Sequence, residues 1–356
     1  MTKRGGSLTI YDIARSANVS PKTVSRVINR NPQVGAELRA RVDKAIAELG
    51  YEPNHAARTL KGPRGYTLAM LADPALIALP LDDEWFLIPY IGTLEAVALR
   101  TAQQYGYRFL AEGIHRDAEG IAADIARLQR RQIDGVVVLP PHCDDPLLLD
   151  ALAAAQLPFV RMAPGTDFDR GATISIDERS AAREATEHLI GLGHRRIAMI
   201  AGPEAHAAAA QRIDGFRDAM ATLPDGWTPP VARGNFIPES AYRIATEWLQ
   251  GAERPSAIFA ANDGMAAGVI AAAIDLGLRL PRDLSVVGFD DVDGAKFTWP
   301  PLTTVRQPFG MMARHSIELL TGLVDGTVGA DAHIQLSCRL VIRRSTAAPG
   351  GEPPVG

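Results

Sequence analysis

Residues 9–29 read TIYDIARSANVSPKTVSRVIN, and the fold of the N-terminus turns on them. Thr9 and Asp12 stand at capping-box spacing, so the Thr9 hydroxyl can accept from the third helical amide. Ile10, Ile13 and Ala14 then share one face of a short helix. Asn18 marks the break, since asparagine tolerates the left-handed backbone of a tight turn. Ser20 is a good N-cap. Pro21 is a good first helical residue, because the amide hydrogen it lacks would have no partner there. Val24, Val27 and Ile28 give the second helix an apolar side. A third helix over 36–49 is expected to bury Leu38, Val42, Ile46 and Leu49 and to stop at Gly50.

The second helix also carries Lys22 and Arg26, four residues apart on one face. Residues 1–62 hold eleven Lys/Arg against five Asp/Glu, a net of +6; the whole chain is at −4, so the remainder holds −10. A small basic module on a larger acidic body points to a polyanion partner for the module alone. Short helix, tight turn and cationic second helix form a helix-turn-helix pattern, whose second helix can lie in the major groove. Lys22 and Arg26 suit guanine O6 and N7. Ser20, Thr23, Ser25 and Asn29 are short hydrogen-bonders suited to phosphate. Arg30 and Arg39 fall outside that set, as phosphate contacts or plain solvent-exposed cations.

From Tyr66 onward the pattern changes. TLAMLA, YRFLAE, DGVVVLP, FVRMA, RIAMIAG, AIFAAND and LSVVGFDD read as buried strands. Helical stretches are expected between them, over 91–105, 118–131, 180–192, 213–222, 240–250 and 264–276. Such alternation implies parallel sheets covered on both faces, and its length implies two doubly wound subdomains rather than one sheet. Ligands of such sheets sit beyond the carboxyl ends of the strands. The Gly/Pro-rich tail, 346–356, is expected to be disordered, and it has no leucine heptads that would build a higher oligomer.

Several function classes are set aside. No Walker A, G-x-G-x-x-G, H-E-x-x-H or G-x-S-x-G sequence is present, and the pairs Asp144-Asp145 and Asp290-Asp291 are adjacent residues that point different ways. The two cysteines, Cys143 and Cys338, are too few for a disulfide framework or a zinc site and read as buried free thiols. No enzyme activity, cofactor or metal is therefore expected. No stretch approaches the roughly 20 apolar residues of a spanning helix, and polar residues interrupt what would be the core of a secretory signal. A cytoplasmic location is expected.

The stretch 9–29, with ARVDKAIAELGYEPNHAARTLKG after it, resembles the LacI/GalR family of bacterial transcription regulators. GHRRIAMIAG, ANDGMAAG, LSVVGFDD and PPLTTVRQP extend the resemblance over nearly the whole chain. It implies an all-α helix-turn-helix domain over 1–51, a hinge helix or linker over 52–64 and a periplasmic-binding-protein-like core over 65–345. In that core an N-subdomain takes about 65–176 and 308–335, and a C-subdomain about 177–307 and 336–345. It further implies a homodimeric repressor on a near-palindromic operator, switched by a small effector, a sugar or sugar derivative. Thr9, Pro21 and Asn54 join the DNA-facing set, and Leu60 takes the place of a leucine that wedges into the minor groove.

For the effector, the resemblance gives Arg212 and Asp290 as polar anchors and Asn262 as a second strand-end group, with Asp263 structural. Phe236, Tyr90 and Phe309 match pocket-wall positions, although each could equally be plain core. His206 lies in a loop that varies with ligand, and reads as a specificity residue or, by slight preference, as merely exposed. The alanines 207–210 lack the side chains that purine-binding relatives use. Trp85 and Phe86 could stack on a sugar or form a dimer contact. The rival reading is a periplasmic sugar-binding protein, which the fused basic module opposes.

Overall fold

The computed structural model describes residues 8–28, 33–51, 64–74, 89–224 and 227–351. Asn29, Asn54, Leu60, Trp85 and Phe86, and the 52–64 linker apart from Arg64, lie outside the described residues. Two compact units divide the chain, Met1–Tyr66 and Thr67–Gly356.

The first unit is built from α1 (Ile10–Ser16), α2 (Pro21–Ile28) and α3 (Ala36–Leu49). The Asp12 carboxylate accepts from the Thr9 amide at 2.9 Å and from its hydroxyl at 2.6 Å, closing the first helix. Asn18 takes the left-handed turn at φ 50°. Ser20 Oγ accepts from the Thr23 amide at 3.0 Å, so α2 starts where its cap and proline place it. Ile13, Ala14, Ala17, Val24, Val27, Val42 and Ala45 make the buried core. Leu49 departs from expectation: it is exposed, and Leu38 and Ile46 are only half-buried. At 14 residues α3 is about twice as long as α1 and α2, with 7 and 8, so the shorter helices cover only its middle.

The second unit holds two six-stranded sheets of matching winding. In the first, β1 (Thr67–Ala72), β2 (Arg108–Gly113), β3 (Gly135–Val138), β4 (Phe159–Met162), β5 (Ala172–Ile176) and β11 (His333–Leu336) stand in the order β2-β1-β3-β4-β5-β11. All its pairings are parallel. In the second, β6 (Ile197–Ala201), β7 (Val231–Arg233), β8 (Ala257–Ala260), β9 (Ser285–Asp290), β10 (Thr303–Arg306) and β12 (Arg339–Val341) stand in the order β7-β6-β8-β9-β10-β12. The helices of the two subdomains are α4 (Pro89–Gln104), α5 (Ala118–Arg130), α6 (Pro146–Ala154), α7 (Glu178–Gly191), α8 (Ala207–Met220), α9 (Pro238–Gln250), α10 (Asp263–Asp275), α11 (Gly294–Phe297) and α12 (Phe309–Asp325).

The chain passes between the sheets three times among the described residues: after β5, after β10, and between Leu336 of β11 and Arg339 of β12. This explains the one antiparallel strand. β10 leaves the second sheet at the edge where β12 enters it, so β12 must run the opposite way, with Arg306 opposite Arg339. The two sheets are otherwise parallel, as expected.

Part of the tail is also packed rather than disordered. Thr346 and Ala347 are buried, the Ala347 amide donates to Ser285 Oγ at 3.1 Å, and Gly350 N donates to the Arg282 carbonyl at 3.0 Å. Small residues let this stretch lie in a groove whose polar groups come from distant chain segments. Residues 352–356 lie outside the described set. Among the described residues no helix is long and apolar enough to cross a membrane.

Candidate functional site

On α2, Lys22 and Arg26 are exposed and have no ion pair among the described residues, while Val24 and Val27 turn inward. Lys22 sits in the first turn, where the helix dipole disfavours a cation by a few tenths of a kcal/mol. A helix that tolerates this, with no acid in that turn, is suited to bring cations to an anion. Ser20, Thr23 and Ser25 flank them; Pro21 and Thr9 are placed by the two caps. Ser20 and Thr23 share a hydroxyl hydrogen bond of 2.8 Å, and the Thr9 hydroxyl is held by Asp12, so these groups set the helix ends first.

In the second unit the effector candidates converge at the carboxyl ends of the strands. Arg212 of α8, only 4% exposed, donates through Nε to Glu178 at 2.7 Å and through Nη1 to the Ala261 carbonyl. Its Nη1 lies 3.9 Å from Asp290 Oδ1, and its guanidinium is stacked 3.7 Å over the Phe289 ring. Asp290 ends β9 at φ 115°, a backbone conformation that residues with a Cβ rarely adopt. Gln307 Nε2 holds its carboxylate at 2.7 Å. Burial pushes the Asp290 carboxyl up to about 7, against the pull of Arg212 and Gln307.

Asn262 caps α10 by accepting from the Met265 amide at 2.8 Å, and its Nδ2 donates to the Phe236 carbonyl. It thereby braces Phe236, which sits at φ 62° with its ring against Gly202; a Cβ on Gly202 would stand 2.3 Å from that ring. His206 meets Phe236 edge-on, with centroids 5.2 Å apart. The slight preference for an exposed His206 is thus wrong. The residue is half-buried, its Nδ1 is buried without a hydrogen-bond partner among the described residues, and burial beside Arg212 lowers its pKa to about 4. Packing against Phe236 is the reason, and that ring is distant in sequence.

Tyr90 of α4 and Phe309 of α12 stack on each other, 5.2 Å apart at 17°. The Tyr90 phenol is raised above its ordinary pKa by burial and by Asp290 across the cleft. The chemistry assembled is therefore one guanidinium, two carboxylates, an unpartnered imidazole nitrogen and aromatic surfaces on both subdomains.

Residues 9–54 match the bacterial regulatory proteins of the lacI family, and residues 186–346 match the periplasmic binding protein-like domain. The HTH-type transcriptional repressor PurR of Salmonella newport (strain SL254) is 33% identical over 344 residues, covering 95% of this chain and 97% of that repressor. The chain belongs to the lacI family of bacterial regulatory proteins. Among solved structures, a complex of the transcriptional regulator CelR with cellobiose has a TM-score of 0.70 at 32% identity, over 95% of this chain and 99% of that one. The Lac repressor dimer bound to operator and the anti-inducer ONPF has a TM-score of 0.71 at 28% identity, over 96% of this chain and all of that one.

This lacI-family chain adds residues to the cleft that sequence reading missed. Glu178 is the nearest acidic partner of Arg212, yet in sequence it is just a first-turn acid of α7. Gln307 follows β10 and holds Asp290. Cys338 lies in the last crossing, half-buried rather than buried; burial and the neighbouring Glu178 push its thiol up to about 12. The acidic pair Asp177-Glu178 directly after a strand was the one available signal, and β5 itself was hidden by the Thr and Ser of ATISI. Asp263 is structural as expected, accepting from Thr304 Oγ1 and the Val292 amide.

Proposed function

We propose that this lacI-family regulator is a homodimeric, cytoplasmic repressor whose two α2 helices read half-sites of a near-palindromic operator, and whose operator affinity is switched by a small effector, a sugar or sugar derivative. The carrying observation is the coupling in one chain of two features. One is a capped helix whose Lys22 and Arg26 have no ion pair among the described residues. The other is a two-subdomain cleft around Arg212 and Asp290. Ser20, Thr23, Ser25, Asn29, Asn54 and Leu60 belong to the DNA-facing set, and Tyr90, His206, Phe236, Asn262 and Phe309 to the effector walls. CelR is described in complex with cellobiose and the Lac repressor as an operator-bound dimer, which supports both halves of the reading.

The second subdomain also exposes Phe297 by 82% and Trp299 by 78%, beside a recess of about 250 Å³ lined by Ile274, Leu278 and Pro281. Apolar surface of that kind favours a protein interface, in keeping with a dimer. An effector acts only through unequal affinity for two states of the protein. Operator binding measured by anisotropy, with and without candidate sugars, tests the reading; an operator affinity that no sugar changes, or no sequence-selective DNA binding, would overturn it.

A further inference from the structure

The loop between β4 and β5 is wound around one buried cation. Arg161 lies in an apolar strand and is wholly buried. Every N–H of its guanidinium is spent on the chain around it. Nε donates to the Cys143 carbonyl, Nη1 to the carbonyls of Asp167 and Arg170, and Nη2 to the Thr166 carbonyl and to Asp144. Asp144 in turn accepts from the Gly165 amide at 3.0 Å and from the Thr166 amide at 3.3 Å. The loop thus turns carbonyls to the guanidinium and amides to the carboxylate.

Stability alone does not call for such a centre, since an apolar side chain of similar volume often serves a buried position as well or better. The loop also holds Ala163 at φ 50° and Asp167 at φ 46°. Residues with a Cβ adopt these left-handed conformations only where the surroundings impose them, and strain of this kind gathers where a shape is used. One point of the loop reaches beyond its own subdomain. Gly165 packs against Ala207, the first residue of α8, with no room for a side chain between them. That helix carries Arg212.

We infer that Arg161 is a positioning residue for the switch: it stiffens the 163–170 loop, makes Gly165 a fixed stop against α8, and so sets how closely the two subdomains approach. The inference rests on the reading above of a regulator that moves between two states. A soft loop would yield as the subdomains close and pass nothing on. This loop is tied to Arg161 of β4 and, through Asp144, to the turn after β3, so pressure from α8 goes into the first sheet. Chains of packed and hydrogen-bonded groups carry coupling in this way.

The test is whether a small wedge at Gly165 is felt in α8 only while Arg161 is present. Gly165→Ala, Arg161→Met and the double variant are made in the full-length protein. Two quantities are read: hydrogen exchange of the α8 peptide 204–216, and affinity for the tightest duplex selected from a randomised DNA pool. Gly165→Ala alone is expected to change each by at least about threefold. In the Arg161→Met background the same substitution should change them by less than about 1.5-fold, because the freed loop absorbs the added methyl group. An Arg161 with a merely structural role would lower Tm on replacement and leave the Gly165→Ala effect at full size. That outcome overturns the inference, as does a Gly165→Ala protein that matches wild type in both readouts. Should Arg161→Met fail to fold, Arg161→Lys takes its place, since it keeps a charge for Asp144 but lacks the planar fork that reaches the carbonyls. If no duplex is selected, the regulator reading falls, and the exchange comparison alone decides the inference.

Discussion

Gly165 of the first subdomain approaches Ala207 of the second so closely that a Cβ on Gly165 would stand 1.9 Å from the Ala207 Cβ. The loop is held in place from behind: Asp144 accepts from the Gly165 amide at 3.0 Å and from Arg161 Nη2 at 2.7 Å. Ala207 follows His206, so this contact joins the subdomains beside the proposed effector wall.

Gly165→Val should therefore wedge the cleft open at this point. Effector affinity is expected to fall at least tenfold, while each subdomain keeps its core. Calorimetric titration of the purified variant checks this, and an unchanged effector affinity would show that the contact has no part in closure.

Arg26→Ala should weaken operator binding by about 1–3 kcal/mol and relax base preference at one position of each half-site. Arg15, exposed and 4.0 Å from Asp12 on α1, is the control; its alanine variant should leave base preference unchanged. Equal losses on all operator variants would assign Arg26 to phosphate instead.

Ile13 is fully buried in the small core of the first unit. Ile13→Ala should destabilise that unit by about 2–5 kcal/mol and abolish operator binding, leaving effector binding by the second unit in place. Two calorimetric transitions, of which only one moves, would be the signature.

Arg212→Ala would leave Glu178 and Asp290 facing each other in a buried site, at a cost of about 3–5 kcal/mol. Arg212→Lys keeps the charge but not the planar fork. The lysine variant should fold, bind operator and lose the effector response. A normal response would take Arg212 out of the site.

Asp290 and His206 give opposite pH trends. Asp290 titrates at about 7 in the fold, against about 4 unfolded, so the folded state binds the extra proton between those values. Stability from this group falls as pH rises from 4 to 7. His206 titrates at about 4 against about 6.5 unfolded, so its contribution falls as pH drops from 6.5 to 4. Asp290→Asn should remove its share of the first trend, leaving that of the buried Asp263, whose carboxyl is also raised by burial, and so make Tm rise more steeply between pH 4 and 7. An unaltered Tm profile would mean that Asp290 is already ionised across this range.

Local signals in the sequence reached far into the first unit. Ser20, Pro21 and Asn18 act through their own backbone, so their roles could be read without knowing any distant neighbour. The strand–helix alternation likewise located both sheets, and strand ends located Arg212's partner Asp290. What remained hidden depends on contacts across the fold. Glu178 meets Arg212 from another helix, Tyr90 meets Phe309 from the far end of the chain, and His206 is covered by Phe236. The ordered 346–351 segment was invisible for the same reason: its partners His194, Ser285 and Arg282 all come from elsewhere. Arg161 could be seen as a cation in an apolar strand, but not the ring of carbonyls around it.

The three passages between the sheets carry Glu178, Gln307 and Cys338, one at each. Glu178 and Gln307, which hold Arg212 and Asp290, therefore sit on the segments that join the two subdomains. A ligand gripping this cluster would act on the joints themselves, where a small displacement is expected to grow toward the far rim of each sheet.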